Sequence, residues 1–308
     1  MVGGYSVRPR PPCSTWTAIH RPCWRRAPGC GSSRNDRGDR HRSAGHHARP
    51  GTGRLRRTGV GRSGAADRRA HQLANRLVGN RPEAASIEFT LGGLEIRLLA
   101  AATLACAGAP CPGVPAWHSA LSLPAGSRLR LGAPSSGLRS YLAVRGGFAV
   151  PAVLGSRSTD TLSGLGPAPL RPGDRLPIGG DTTGPPTDPA ILAERADRPI
   201  RLLPGPRADW FTRTAQESLL TTRWRVLPAS DRIGIRLDGP ALARQRPGEL
   251  PSEPTLPGAL QVPPDGRPIV LGPDAPVTGG YPVIAILGTG ELDRMAQLRP
   301  GAEVRFSR

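Results

Sequence analysis

Short apolar runs broken by turn formers fill most of the chain, and their period is two rather than 3.6. Alternation of this kind predicts strands over 87–91, 94–98, 128–131, 140–144, 200–203, 233–237, 283–287 and 304–306. Helical spacing is confined to two places. Ala66, Ala70, Leu73, Ala74 and Leu77 recur along one face and Gly79-Asn80 supplies a stop, which predicts an amphipathic helix over 65–78. A second is predicted over 206–220, with Pro206 suited to the first helical position and Ala208, Phe211, Ala215 and Leu219 on one side.

The stretch 248–285 has a different texture. Pro251, Pro254, Pro257, Pro263, Pro264 and Pro268 forbid a helix, because proline lacks the amide hydrogen and crowds the preceding turn. Strands at 260–262 and 268–271, joined through Pro263-Pro264-Asp265-Gly266, read as a hairpin presenting Gln261. Further on, Thr278-Gly279-Gly280-Tyr281 sets two glycines beside a hydroxyl and an aromatic ring, where backbone can approach an anion or a carbonyl. A plain hairpin with a glycine turn explains the same residues without any function.

A turn-then-strand phrase recurs at 123–132, 170–179 and 298–307, and the last two would each close a lobe. The Pro/Gly/Thr/Asp stretch 179–189 reads as a linker. The expected architecture is mainly β with a few helices: a head over 1–58, a first lobe over 59–186 and a second over 187–308.

Composition adjusts this picture at the head. The chain has 308 residues and a net charge of +19, with 40 glycines and 36 prolines, too many for a helical bundle. Residues 1–60 hold 13 arginines against Asp36 and Asp39, so +11 lies there and the other 248 residues carry only +8. A head so poor in aliphatic residues cannot offset the entropy of ordering, and disorder is expected over 1–58. A frameshift or a wrong start, with the frame restored near Gly59, is the expected origin of the head. The chain contains arginine but no lysine, which excludes a phosphate-loop lysine. The skewed charge argues against a nucleic-acid partner. No apolar run approaches a membrane span and no secretory h-region follows the first arginines, so a cytoplasmic protein is expected. Five cysteines, Cys13, Cys23, Cys30, Cys106 and Cys111, match no zinc spacing, and no metal ligands are assigned.

Candidate chemistry comes in clusters. Arg62, Ser63, Asp67 and Asn75 lie at and beyond a predicted helix start, where backbone amides hold an anion or the side chains simply cap the helix. Arg145, Ser156 and Arg157 lie beside glycine turns and suit a carboxylate or phosphate, unless they pair with Asp160 or Asp174. Parity puts Arg232 and Arg236 on one side of a strand and Asp231 on the other. Glu253 is the preferred acid or base over Glu249. The body's histidines, His71 and His118, form no Ser-His-Asp set, so charge stabilisation by Arg, Gln, Thr and amides is expected instead.

The segments at 59–80, 141–166, 201–211, 230–240 and 248–285 together resemble the biotin-dependent carboxyltransferase-like family, over about Gly59 to Phe306. That family includes the C subunit of bacterial 5-oxoprolinase, the allophanate-hydrolase-type second subunit and the carboxyltransferase domain of urea carboxylase. The resemblance implies two cyclophilin-like β-barrel lobes. It also implies ATP-dependent hydrolysis of the lactam of 5-oxo-L-proline to L-glutamate, together with A-type and B-type partner subunits. On this reading Arg157, Arg232, Arg236, Glu253 and Gln261 are catalytic, with Arg232 and Arg236 beside Glu253 and Gln261. Substrate binding falls to Arg62, Ser63, Asn75, Arg145, Ser156, Asp231, Thr278, Gly279, Gly280 and Tyr281. Two alternatives stay open: carboxyl transfer from biotin to a urea-like amide, and a non-catalytic partner that antagonises a kinase-inhibitor subunit.

Overall fold

The computed structural model describes residues 17–19, 59–187, 198–248 and 250–308. Strand outweighs helix among them, 29% against 11%, as the alternation predicts.

In chain order the first lobe comprises β1 (Thr17–Ile19), α1 (Arg68–Leu77), β2 (Ser86–Thr90), β3 (Leu94–Arg97), β4 (Ala102–Gly108), β5 (Ala120–Leu123), β6 (Arg128–Leu131) and β7 (Arg139–Val144). An antiparallel sheet runs β1-β2-β7-β4-β5, and β3 and β6, distant in sequence, form a separate two-stranded antiparallel ladder over one of its faces. That face buries Ile87, Phe89, Leu104 and Leu142 against Leu94, Leu129 and Leu131. The other face buries Ala105, Ala107, Tyr141 and Ala143 against Leu73, Ala74 and Leu77 of α1. Each fully buried leucine contributes roughly 1.5–3 kcal/mol. Because β4 is covered on both faces, it shows no alternation and escaped prediction. The backbone of β1 pairs with Ser86–Glu88; the rest of the head expected to be disordered over 1–58 lies outside the described residues.

The expected linker is largely packed. Thr183 and Thr187 donate backbone hydrogen bonds to Gly79 and Leu77, and Thr182 bridges Asn80, so the chain adheres to the first lobe through Thr187. The remainder of the linker assignment, 188–189, lies outside the described residues.

The second lobe comprises β8 (Ile200–Pro204), α2 (Arg213–Thr221), β9 (Trp224–Val226), β10 (Gly234–Asp238), β11 (Glu253–Pro254), β12 (Ala259–Gln261), β13 (Ile269–Leu271), β14 (Thr278–Gly279), β15 (Val283–Leu287), α3 (Glu291–Met295), β16 (Glu303–Val304) and β17 (Phe306–Ser307). Eight strands follow the order β16-β9-β10-β13-β12-β15-β8-β17. Its two edges are consecutive pieces of chain: β16 pairs with β9, and one residue later β17 pairs in parallel with β8. The C-terminal segment thus stitches the sheet almost into a barrel. Trp224, Leu237, Leu260, Val262 and Val270 fill its centre, and the Trp224 indole N–H donates to the Leu219 carbonyl at 3.1 Å.

The helix predicted over 206–220 is interrupted. A 3-10 turn at Ala208–Trp210 ends where Phe211 extends into the core, and Thr212 then caps α2 by accepting from the Ala215 amide at 3.1 Å. Burial of Phe211 outweighs helical continuity. No helix among the described residues is long and apolar enough to cross a membrane.

Candidate functional site

Two polar constellations stand out, one between the lobes and one on the second lobe. The first is built on α1. Ser63, left-handed at φ 42°, and Gly64 lead into Asp67, whose carboxylate accepts from the Ala70 amide as the N-cap. Amides at the helix start, where an anion was expected, meet carboxylates of the chain itself: Ala66, just before the cap, donates to Glu88, and Arg68, the first helical residue, donates to Asp293 of the second lobe.

Arg232 completes that constellation. Its Nε and Nη2 donate to Asp274 at 2.8 and 3.1 Å, its Nη1 to Glu88 at 2.5 Å and its Nη2 also to the Gly64 carbonyl at 2.6 Å. Arg139 lies 3.6 Å from the same Glu88 oxygen, and Tyr141 donates to the other oxygen at 2.8 Å. Two buried guanidinium groups thus face Glu88 and Asp274, and their charges cancel, which makes burial tolerable. Burial alone would push the Glu88 carboxyl up, but Arg232 and Arg139, with the Ala66 amide and Tyr141, outweigh it and hold it below its ordinary value. Burial and the Glu88 charge push the Tyr141 phenol well up. Around Asp274, Ser63 donates at 2.7 Å, and Thr161 donates through both its amide and its hydroxyl. Gln297 adds a second clasp, its carbonyl accepting from the Leu138 and Arg139 amides and its amide donating to Asp67. These contacts lock the lobes together.

The second constellation is the one the prolines of 248–285 assemble. The two-stranded β11–β14 ladder sets Glu253 opposite Gly279, and Gln261 of β12 lies beneath it, its amide donating to the Tyr281 carbonyl at 3.3 Å. A methyl group on Gly279 would stand 2.9 Å from Gln261 Nε2 and 3.3 Å from Thr255 Cγ2, so glycine lets that amide reach the ladder. Arg207 holds Glu253 with both Nε and Nη2, the first at 3.1 Å. Its hydrogen bond to Arg207 keeps the Glu253 carboxyl below its ordinary value. Tyr281 and Thr278 are exposed at the rim, and Gln261 is buried.

The structure therefore brings together Glu253, Gln261, Thr278, Gly279, Gly280 and Tyr281. Of the two arginines that the sequence reading placed beside Glu253 and Gln261, Arg232 lies elsewhere, while Arg236 is in register with Gln261 through Ile269 of the intervening strand β13. The strand begins only at Gly234, because the Asp231 carboxylate accepts from the Ile233 and Gly234 amides and turns the chain before it. Parity consequently does not extend back to Arg232, which is buried between the lobes, while Arg236 is exposed on β10.

The remaining candidates are dispersed. Asn75 is fully buried, donating to the Ala84 carbonyl and accepting from Asn80. Arg145 donates to the Val78 and Gly184 carbonyls. Arg157 donates to the Val150 carbonyl at 2.6 Å and lies 3.8 Å from Asp181, rather than pairing with Asp160 or Asp174. The Ser156 hydroxyl accepts from the Ser158 amide, and Arg62 is exposed next to Ser63. Sequence reasoning missed Arg207, Glu88 and Asp274 as site residues, since each acquires its partner from a distant segment. A cavity of about 480 Å³ on the first lobe, lined by Thr103, Ser122, Leu123, Arg145 and Ile178, shares no residue with the second-lobe patch.

A mostly β protein with a nearly closed barrel-like sheet is the architecture of a carboxyltransferase-type domain. The chain belongs to the family described as carboxyltransferase domain, subdomain A and B, whose model matches residues 58–308. It is 39% identical over 262 residues to the C subunit of 5-oxoprolinase from Escherichia coli strain K12, covering 82% of this chain and 84% of that protein. Among solved structures it is similar to TTHA0988, with a TM-score of 0.71 and 37% identity over 81% of this chain, and spans half (50%) of that longer chain. It is also similar to the K. lactis urea amidolyase, with a TM-score of 0.74 and 28% identity over 80% of this chain, but only 17% of that one.

Proposed function

We propose that this chain acts as the C subunit of a 5-oxoprolinase, working with A-type and B-type partner subunits to open the lactam of 5-oxo-L-proline to L-glutamate. The observation that carries the reading is a match extending over 84% of the Escherichia coli C subunit, and the family match includes the whole β11–β14 patch.

Lactam opening requires a polarised carbonyl and a water directed at its carbon, since an unactivated amide is a poor electrophile. The patch offers both kinds of group. Gln261, which spends one amide hydrogen on the Tyr281 carbonyl, has a second to offer a substrate carbonyl oxygen, and Glu253 carries a carboxylate to orient or deprotonate water. The exposed Tyr281 ring and Thr278 flank the approach.

Activation of the lactam by ATP is assigned to the complex. The candidate arginines Arg145, Arg157 and Arg232 are committed to carbonyls and carboxylates of the chain, and there is no lysine for a phosphate loop.

The test is reconstitution with the partner subunits. Gln261→Ala should lower 5-oxoproline-dependent turnover at least about tenfold with the complex intact, and an unchanged rate rejects the assignment. The likeness to K. lactis urea amidolyase favours one second reading, carboxyl transfer to a urea-like amide. With no lysine to carry biotin, this chain would need a separate carrier; transfer from a biotinylated carrier, without lactam hydrolysis, decides for that reading.

A further inference from the structure

We propose that Arg207 is the recognition residue for the substrate's carboxylate, and that Glu253 occupies its guanidinium fork until the substrate displaces it. The proposal rests on the 5-oxoprolinase reading and assigns the substrate class of the same patch: small amides carrying a carboxylate, as opposed to uncharged ureas.

Four observations carry it. The fork is engaged in the two-pronged arrangement that guanidinium groups make with any carboxylate, Nε and Nη2 each donating to a different oxygen of Glu253. The pair is accessible, with side-chain exposures of 36% for Arg207 and 29% for Glu253, so a ligand reaches it without opening the core. Arg207 is held firmly, because its amide donates to the Val283 carbonyl at 3.1 Å and the nearby Gly205 lies against the backbone of Val283 to Ala285. Glu253 sits on a two-residue strand outside the eight-stranded sheet, opposite Gly279, and is the more movable partner.

The exchange also connects to chemistry. A carboxylate on Arg207 places the attached ring beside Gln261, whose β12 strand pairs with Val283, the residue that anchors Arg207. The displaced Glu253 is then free of the guanidinium that lowers its basicity, and it becomes available to orient water. An exposed pair of this kind adds little to stability, so exchange is inexpensive.

The experiment is isothermal titration of 5-oxo-L-proline into the reconstituted complex, wild type against Arg207→Ala, Arg207→Lys and Glu253→Gln, with thermal melts to confirm folding. Arg207→Ala should weaken binding about 10- to 100-fold. Arg207→Lys keeps the charge but loses the fork, and should fall between wild type and alanine. Glu253→Gln should tighten binding several-fold whatever it does to turnover, because it removes the internal competitor. A purely structural pair predicts the same sign for Arg207→Ala and Glu253→Gln; equal signs, or unchanged affinity in Arg207→Ala, overturn the proposal. Failure of the wild-type complex to bind or hydrolyse 5-oxoproline instead overturns the underlying reading, and that control separates the two failures.

Discussion

Arg232 of the second lobe donates to Glu88 of the first at 2.5 Å, and both side chains are less than a tenth exposed. This contact crosses the boundary between lobes whose hydrophobic cores are separate. Arg232→Ala would leave Asp274 buried without its guanidinium partner and Glu88 with Arg139 alone. The expected cost is about 3–5 kcal/mol, seen as a lower urea midpoint, and wild-type stability in this variant would show that the pairing does not hold the lobes.

Acid should loosen the same junction. The Glu88 carboxyl is held below its ordinary value in the folded protein, so its contribution to stability is full above the unfolded value and is lost as pH falls through the folded one. Glu88→Gln should therefore flatten the acid limb of a stability-against-pH curve measured below about pH 5. An acid limb identical to wild type would assign the loss to other carboxylates.

Gln297 makes four hydrogen bonds that bind the first-lobe residues Asp67, Leu138 and Arg139. Gln297→Leu leaves the Leu138 and Arg139 amides buried without their acceptor, at about 2–4 kcal/mol. Hydrogen exchange should show faster opening at those two amides than elsewhere in β7; uniform protection would contradict the clasp.

Two glycines should respond oppositely to alanine. At Gly279 the added methyl meets chiefly the mobile end of Gln261, so the fold should persist while turnover of the complex drops. At Gly205 it meets backbone of β15, and melting should fall by several degrees. Loss of folding in Gly279→Ala with an intact Gly205→Ala would reverse the assignment of the two positions.

The elements legible in the chain were those whose burial is one-sided. The leucine and alanine spacing of α1 and the alternation of β6 report one buried face each. The cluster Glu253, Gln261 and Thr278 to Tyr281 was legible for a related reason, since closely spaced prolines and glycines leave a chain few ways to fold. Where both faces are covered, as in β4, or where one aromatic breaks a helix, as Phe211 does, the local pattern misleads.

The sequence by itself determined that this is a mainly β member of a carboxyltransferase-type family, because strand period, turn residues and long motifs are local properties. Only the tertiary structure decided which charge meets which. Arg232 is linked to Glu88 across 144 positions of sequence, and Arg207 to Glu253 across 46. A charged side chain is specified by the partner that offsets its desolvation, and folding, not sequence proximity, chooses that partner.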